Sequence, residues 1–202
     1  MVVIIKFVKS NNGAAAIEFA FYIFVFVLMC GFMVDMSFSL IKKSQVERVN
    51  NSLIAVLRER VNFFNGRTDL TQDDLSQLKS IADILLVNDD GTVAPYQLGL
   101  KMVSFSSRST QQNPIPIETH IVTQSISRCD LNSEFTSTAD LSTLSAWGIP
   151  PASTANTPAS WYPVYEVTLC VPGAASWFFQ AMGTFNRNLG SIYVRNATIP
   201  RL

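Results

Sequence analysis

The chain has 202 residues, and its 15 basic and 15 acidic side chains give a formal net charge of zero. With no net charge, the chain as a whole does not show the positive charge that attracts a protein to nucleic acid or to an acidic membrane surface. One long apolar run lies near the N-terminus, and the rest leaves room for a single modest domain of roughly 150 residues.

The N-terminal apolar run predicts a transmembrane helix. Glu18 is the only charged residue between Ala14 and Val34, and about twenty residues at ~1.5 Å each cover the ~30 Å hydrocarbon layer of a bilayer. We assign the span to residues 14–41, with Asp35 at the far headgroup boundary. A buried acid is costly unless it is paired. A cut after Gly13 would create an α-amine on Ala14 that could pair with Glu18 of the same or a neighbouring helix.

The segment Asn12-Gly-Ala-Ala-Ala-Ile-Glu-Phe-Ala resembles a prepilin processing site, because Glu and then Phe follow the glycine at a spacing of five residues. In its fuller form it resembles the TadE/TadF pseudopilins of tight adherence (Flp/Tad) pili. The resemblance implies that prepilin peptidase removes residues 1–13 by cleaving between Gly13 and Ala14. It assigns Glu18 and Phe19 to processing and assembly, with other pilins or pseudopilins and the Tad assembly platform as partners.

The C-terminal part carries a fainter resemblance, which favours the TadF type over the TadE type. The matching segments are Tyr162-Pro-Val-Tyr-Glu-Val-Thr-Leu-Cys, Trp177-Phe-Phe and Ala197-Thr-Ile-Pro-Arg.

Three other kinds of N-terminal segment also contain an apolar run. A secretory signal peptide would have a shorter apolar core and a small-residue cleavage site, and Ser37-Phe38-Ser39 is a poor one. A lipoprotein signal would use Cys30, but bulky Met29 precedes it. An uncut anchor, in which Gly13 only starts the helix and Glu18 lies near the headgroups, stays open as the main alternative.

Charge alone does not orient the span. Lys6 and Lys9 precede it, and Lys42, Lys43 and Arg48 follow it, so the positive-inside rule favours neither end.

Cysteine usage favours a domain outside the cytoplasm. Cys129 and Cys170 form an even pair in the globular part, which fits an oxidising compartment. We predict a disulfide between them. Together with the resemblance, this predicts a bacterial inner-membrane protein with a cytoplasmic N-terminus and a periplasmic domain over residues 42–202.

The helix is predicted to continue beyond the membrane from Lys42 to Phe64 and to end at Asn65-Gly66. Apolar residues recur along it at spacings of three and four, the pattern of one buried face: Val46, Val49, Leu53, Val56, Leu57, Val61 and Phe64. A second helix is predicted to begin after a Thr71 cap. Its buried face is predicted to contain Leu75, Leu78, Ile81, Ala82 and Leu85.

Residues 88–92, Asn-Asp-Asp-Gly-Thr, predict a turn in which Gly91 has a positive φ angle. The alternative is a metal site formed by Asp83, Asp89 and Asp90. These acids lack the alternating ligands and distal Glu of a calcium loop, so the turn is favoured.

Strand-forming residues dominate the rest of the chain. The predicted strands are Leu98–Phe105, Ile115–Ile126, Tyr165–Val171 and Ser191–Ile199. Residues 131–163, rich in Ser, Thr, Ala and Pro, are predicted to form a flexible or functional loop. The order of helices followed by strands predicts an α+β, pilin-like domain with a mainly antiparallel sheet.

The sequence offers little for catalysis. His120 is predicted to be an exposed strand residue, and the cysteines lack metal-ligand spacing. The aromatic residues Trp161, Trp177, Phe178 and Phe179 could bind a ligand, but core packing is favoured. We therefore expect no enzyme activity, cofactor, metal or nucleic-acid partner. The sequence predicts a minor pseudopilin that is needed to assemble an adhesive pilus; the alternative is a permanently anchored periplasmic scaffold or binding module.

Overall fold

The computed structural model describes residues 11–59, 63–64, 67, 69–88, 90–136, 141–149, 159–173, 176 and 190–201. A long N-terminal helix, α1 (Asn11–Arg58), leads into a domain that we call the head. The head contains helix α2 (Gln72–Leu85) and a four-stranded sheet. The predicted α+β class with an antiparallel sheet is confirmed.

The sheet has the order β2-β1-β5-β6, and every neighbouring pair is antiparallel. Its strands are β1 (Gln97–Phe105), β2 (Pro116–Val122), β5 (Val164–Pro172) and β6 (Ser191–Thr198). The shorter elements are helix α3 (Leu131–Thr136), a 3-10 helix (Leu141–Leu144), β3 (Trp147–Gly148) and β4 (Ser160–Trp161).

Strand β2 ends at Val122, four residues before its predicted end at Ile126. The Thr123 N–H still donates to the Leu98 carbonyl, but the Leu98 N–H donates over 3.0 Å to the Thr123 hydroxyl rather than to the Thr123 carbonyl, so the regular ladder stops here. The chain then turns, and Ile126 forms an isolated bridge with Cys129.

The second half of α1 packs on the sheet as its apolar spacing predicts. Val46, Val49, Leu53 and Leu57 are buried, and Val56 is partly buried against the same core. Regular helix ends at Arg58, earlier than the predicted Phe64. Even so, the Phe63 N–H donates to the Glu59 carbonyl, and Phe64 is buried in the core. Val61 and Asn65-Gly66 lie outside the described residues.

Helix α2 begins as predicted, with a capping box at its first turn. The Thr71 hydroxyl accepts from the Asp74 N–H, and the Asp74 carboxylate accepts from the Thr71 N–H. Leu75, Leu78 and Ala82 are buried, and Ile81 is partly buried. The prediction that Leu85 is buried is wrong: it is 45% exposed, because it lines an open groove in the last turn.

The direction of α1 defines two ends of the head. The Asn50 side-chain amide donates to the Val167 carbonyl at mid-sheet, and the Arg201 N–H donates to the Arg58 carbonyl. We call the end where α1 enters the head the proximal end; it holds the end of β5 and of α2. The opposite end, which holds Arg58 and the start of β5, is the distal end.

The other face of the sheet is covered in part by the segment that was predicted to be an irregular loop. Within residues 131–163, Leu131 and Phe135 of α3 and Leu141 of the 3-10 helix are buried against β1 and β5. The described portion of this segment therefore contains regular structure that contributes to two smaller cores. Residues 137–140 and 150–158 lie outside the described part of the chain.

Candidate functional site: the exposed apolar helix and its junction with the head

The first half of α1 has an apolar surface that the head does not cover. Every side chain from Ala15 to Val34 is exposed, and Glu18 is the single charge among them. The large exposed side chains there include Ile17, Phe19, Phe21, Tyr22, Ile23, Phe24, Phe26, Leu28, Phe32 and Met33. Burying one such side chain is worth about 1.5–3 kcal/mol, so this surface requires a lipid or protein environment.

By length and composition this helix can cross a membrane. It is continuous from the apolar half into the half that packs on the sheet, so an anchored helix would hold the head directly at the membrane surface. The long apolar helix thus fits a membrane anchor.

The predicted processing motif lies at the very start of α1. Gly13 and Ala14 are in helical conformation, and Glu18 and Phe19 are exposed on the following turn. Positions four apart on a helix share one face at a rise of about 6 Å, so Glu18 lies on the same face as Ala14. Residues 1–10 of the predicted leader lie outside the described residues.

The predicted disulfide is present in the head. Cys129 and Cys170 are bonded, with 6.0 Å between their Cα atoms, and both are buried beside Leu131 and Phe135. The bond attaches the segment between β2 and α3 to the proximal end of β5. Cys30 is a free, exposed cysteine within the apolar half of α1.

Two buried amides that the sequence reading did not identify join the parts of the head. Gln97 at the start of β1 is fully buried; its side chain donates to the Thr123 carbonyl and accepts from the Leu131 N–H. Asn50 connects α1 to β5 through Val167. The sequence does contain a signal for Asn50, because it is a single polar residue at a buried position of a heptad-like apolar pattern.

Gly99 allows α3 to approach the sheet closely. A Cβ atom built at Gly99 would lie 2.6 Å from Phe135 Cε2 and 3.0 Å from Leu131 Cδ1. Glycine inside a strand often marks such an approach, which is the signal that sequence reasoning could have used here.

The acidic turn is a structural feature. Gly91 has a φ of +79° as predicted, and the Asp90 carboxylate accepts from the Thr92 N–H and hydroxyl, which lower the pKa of Asp90. Asp83 is bonded elsewhere, to Lys79 over 2.6 Å and to the Tyr96 hydroxyl. Burial raises the pKa of Asp83, but these bonds outweigh it, so the net shift is downward. Burial, followed by the Asp83 contact, raises the pKa of Tyr96.

Other candidate residues lie apart from one another. His120 is exposed on β2, as predicted, with its ring 5.7 Å from that of Phe135. Among the described residues, no three His, Cys, Asp or Glu side chains form a group that could hold a metal. The part of the chain that the structure describes therefore offers no metal centre.

The predicted aromatic residues fall in two places. Trp161 is half-buried at the distal end, with its ring 5.6 Å from those of Phe105 and Trp147, and its indole N–H donates to the Thr110 carbonyl. Packing thus accounts for Trp161. Trp177, Phe178 and Phe179 lie outside the described residues.

A long exposed apolar helix that continues into an α+β head with an antiparallel sheet fits a membrane-anchored subunit. Comparison with protein families agrees: the family model described as "Putative tight adherence pilin protein F" (TadF) matches residues 6–198. The chain belongs to the TadF family, which confirms the resemblance in its TadF form. Searches of curated proteins and of solved structures found no match.

Membership of this family supports a pilus-related role for the chain. It indicates a structural protein rather than an enzyme, and it implies partners within the pilus system and an association with a membrane. The match covers the apolar helix and nearly all of the head, so both parts belong to the family's common architecture.

Proposed function

We propose that the chain is a minor pseudopilin that is anchored in the bacterial inner membrane, processed by a prepilin peptidase and needed to assemble an adhesive Tad-type pilus. The observation that carries this proposal is the unbroken α1 helix, whose exposed apolar half begins at the Gly13–Glu18 motif in a chain of the TadF family. Residues 1–13 would remain cytoplasmic, and residues 42–202 would form the periplasmic head.

The mechanism is structural. The apolar half of α1 anchors the subunit in the bilayer until this helix packs against the helices of neighbouring pilins. The small residues Ala14, Ala15 and Ala16 let the protease and then other backbones approach closely. After cleavage, Glu18 attracts the new α-amine of a neighbouring subunit, because an acid at this depth gains from any opposite charge. That pairing would fix the axial offset between subunits.

Processing is tested by intact-mass measurement and N-terminal sequencing of the chain from a pilus-producing cell. The expected mature protein begins Ala-Ala-Ala-Ile-Glu, that is, at Ala14. Gly13→Leu should block processing. The matched control is Gly31→Leu in the same helix, where added atoms have open space around them, and it should be processed normally. A mature chain that retains residues 1–10 would refute cleavage and favour the uncut anchor.

The role of Glu18 is tested separately. Glu18→Gln should abolish or strongly reduce piliation while the chain still inserts in the membrane, because the substitution removes the charge and keeps the side-chain size. Glu47→Gln is the control, since Glu47 is on the same helix beyond the apolar half and lies 3.8 Å from Lys43. Normal piliation by the Glu18 variant would reject the pairing.

The alternative, a permanently anchored scaffold, predicts a different location. A pseudopilin that enters the filament should sediment with sheared pili, whereas a scaffold should stay with the membranes after shearing. Recovery only in the membrane fraction, with piliation still dependent on the protein, would replace the pseudopilin proposal with the scaffold.

A further inference from the structure

The proximal end of the head carries an open groove next to the point where α1 leaves its apolar half. The groove has a volume of about 490 Å³ and is lined by Lys42 and Arg48 of α1, by Leu85 and Val87 at the end of α2, and by Pro172 at the end of β5. Helix α2 and strand β5 therefore both end here, beside the same stretch of α1.

Exposed apolar side chains surround this groove. Leu85, Val87 and Val93 are 45%, 49% and 45% exposed, and Val87 and Val93 are neighbours because they form a bridge across the turn. Clusters of exposed apolar residues beside basic ones are typical of surfaces that lie in a membrane interface. We call Lys42, Arg48, Leu85, Val87 and Val93 the proximal surface.

The charges near the groove favour an anionic surface. Among the described residues, Lys42 and Arg48 have no carboxylate within ion-pair distance, whereas the charge of Glu47 is balanced by Lys43, which lies 3.8 Å away. Asp90, in the turn between Val87 and Val93, accepts two hydrogen bonds from Thr92 but keeps its negative charge, so two unpaired cations stand against one unbalanced described acid. Two available cations beside an apolar rim can contact lipid phosphates while the apolar side chains enter the interface.

The length of α1 places the proximal surface near the lipid headgroups. Lys42 is the first charged residue after Asp35, and Phe38, Leu40 and Ile41 between them are all more than half exposed. In a tilted span the hydrocarbon layer extends to Ile41 and not only to Asp35, where an upright helix would leave it. Lys42 then lies in the headgroup zone, which is roughly 5–7 Å thick. The first residue of α1 that the head buries, Val46, is then only about 7 Å above the hydrocarbon.

Tilting brings the head closer still. The assigned span of residues 14–41 would be about 42 Å long as a straight helix, which exceeds the ~30 Å hydrocarbon layer, and long spans adapt by tilting. Because α1 continues unbroken into the head, a tilt lowers one side of the proximal end onto the bilayer.

We propose that the proximal surface docks on the anionic lipid bilayer, with Lys42 and Arg48 contacting lipid phosphates and Leu85, Val87 and Val93 entering the interface. The inference rests on the membrane anchor of the proposed function. It adds that the head of the stored subunit is held against the membrane, so that the same surface must leave the lipid before the subunit joins a filament.

The experiment uses the full chain in lipid vesicles that contain phosphatidylglycerol, with Cys30→Ser to remove the free thiol and the Cys129–Cys170 bond intact. A fluorescent label is placed at Val87→Cys and, in a separate chain, at Ile117→Cys. Ile117 is a close match, since it is 50% exposed but lies at the distal end of β2, paired with Ser104. Lipids with a quencher at the headgroup level should quench the label at position 87 and leave the label at position 117 unaffected.

Charge variants test the lipid contact. Lys42→Gln or Arg48→Gln should each lower the docked-to-undocked ratio about fivefold, since one basic side chain at an anionic surface is worth about 1 kcal/mol. Arg108→Gln is the control, because Arg108 is exposed in the distal turn between β1 and β2. Quenching at position 87 should also fall as the ionic strength rises.

Equal quenching at positions 87 and 117 would overturn the inference. A label at position 87 that is shielded from water only at high protein-to-lipid ratios would also overturn the inference, because contact between neighbouring heads would then explain the shielding. A label at Val25→Cys separates these results from a failed anchor: quenching there by mid-bilayer quenchers with none at position 87 rejects only the docking. No quenching at position 25 rejects both the docking and the anchor.

Discussion

Removal of the disulfide tests how the head is held together. The bond between Cys129 and Cys170 joins residues 41 positions apart, and in the chain-entropy model a closed loop of this length is worth about 4 kcal/mol. Its removal should loosen the connection of the β2–α3 segment to β5, because that segment contributes only a small core of its own around Leu131 and Phe135. The expected change is a loss of about 4 kcal/mol in the free energy of unfolding, with the native fold retained.

The measurement is urea unfolding of the full chain in detergent micelles, followed by tryptophan fluorescence. All three tryptophans lie beyond residue 140, so the signal reports on the head and not on the membrane helix. The double variant Cys129→Ala, Cys170→Ala avoids leaving an unpaired thiol. With an m-value of roughly 2 kcal/mol/M, its unfolding midpoint should fall by about 2 M urea.

Cys30→Ala is the matched control, since Cys30 is free and exposed on the apolar half of α1, and its midpoint should not change. Reduction of the wild-type chain under unfolding conditions should reproduce the midpoint of the double variant. A loss below about 1 kcal/mol would refute the entropic reasoning, since it would mean that the segment is held by its other contacts whether or not the loop is closed.

Two further predictions concern single residues. Gly99→Ala should lower the free energy of unfolding by about 1–3 kcal/mol by overpacking, since the new Cβ would lie 2.6 Å from Phe135; an unchanged urea midpoint would contradict this close approach. Asp83→Asn should destabilise the head at pH 6. The difference in free energy of unfolding between the wild type and this variant should decline as the pH falls below 3.8, because the folded-state pKa of Asp83 is lowered from that value. A difference that grew on acidification would contradict this linkage.

The elements with strong local patterns were predictable from the sequence. The apolar spacing of Val46, Val49, Leu53 and Leu57 predicted one face of a helix, because the helical period alone decides which side chains share a face. Thr71 predicted the start of α2 for the same kind of reason, since a cap is a contact between near neighbours in the chain. Gly91 predicted its turn because few other residues adopt a positive φ angle.

The boundaries set by distant contacts were not predictable in this way. Leu85 matched the apolar face of α2 but lies beside an open groove, because whether another element covers it depends on how α1 and the end of β5 are placed beside it. Residues 131–163 had a loop-like composition, yet Leu131, Phe135 and Leu141 in it are buried. A few apolar residues are enough to bury such a segment when a sheet face is uncovered nearby. Only the tertiary structure shows that this face lies beside the segment.

The sequence by itself determined that the chain has an apolar helix with a processing-like motif, a disulfide and an α+β head, because each depends on local spacing or on composition. Only the tertiary structure decided the strand order β2-β1-β5-β6, the need for a glycine at position 99 and the meeting of Lys42 with Leu85 and Val87 at one groove. These features join residues that are far apart in the chain, and side-chain periodicity carries no information about which distant partner a buried face will find.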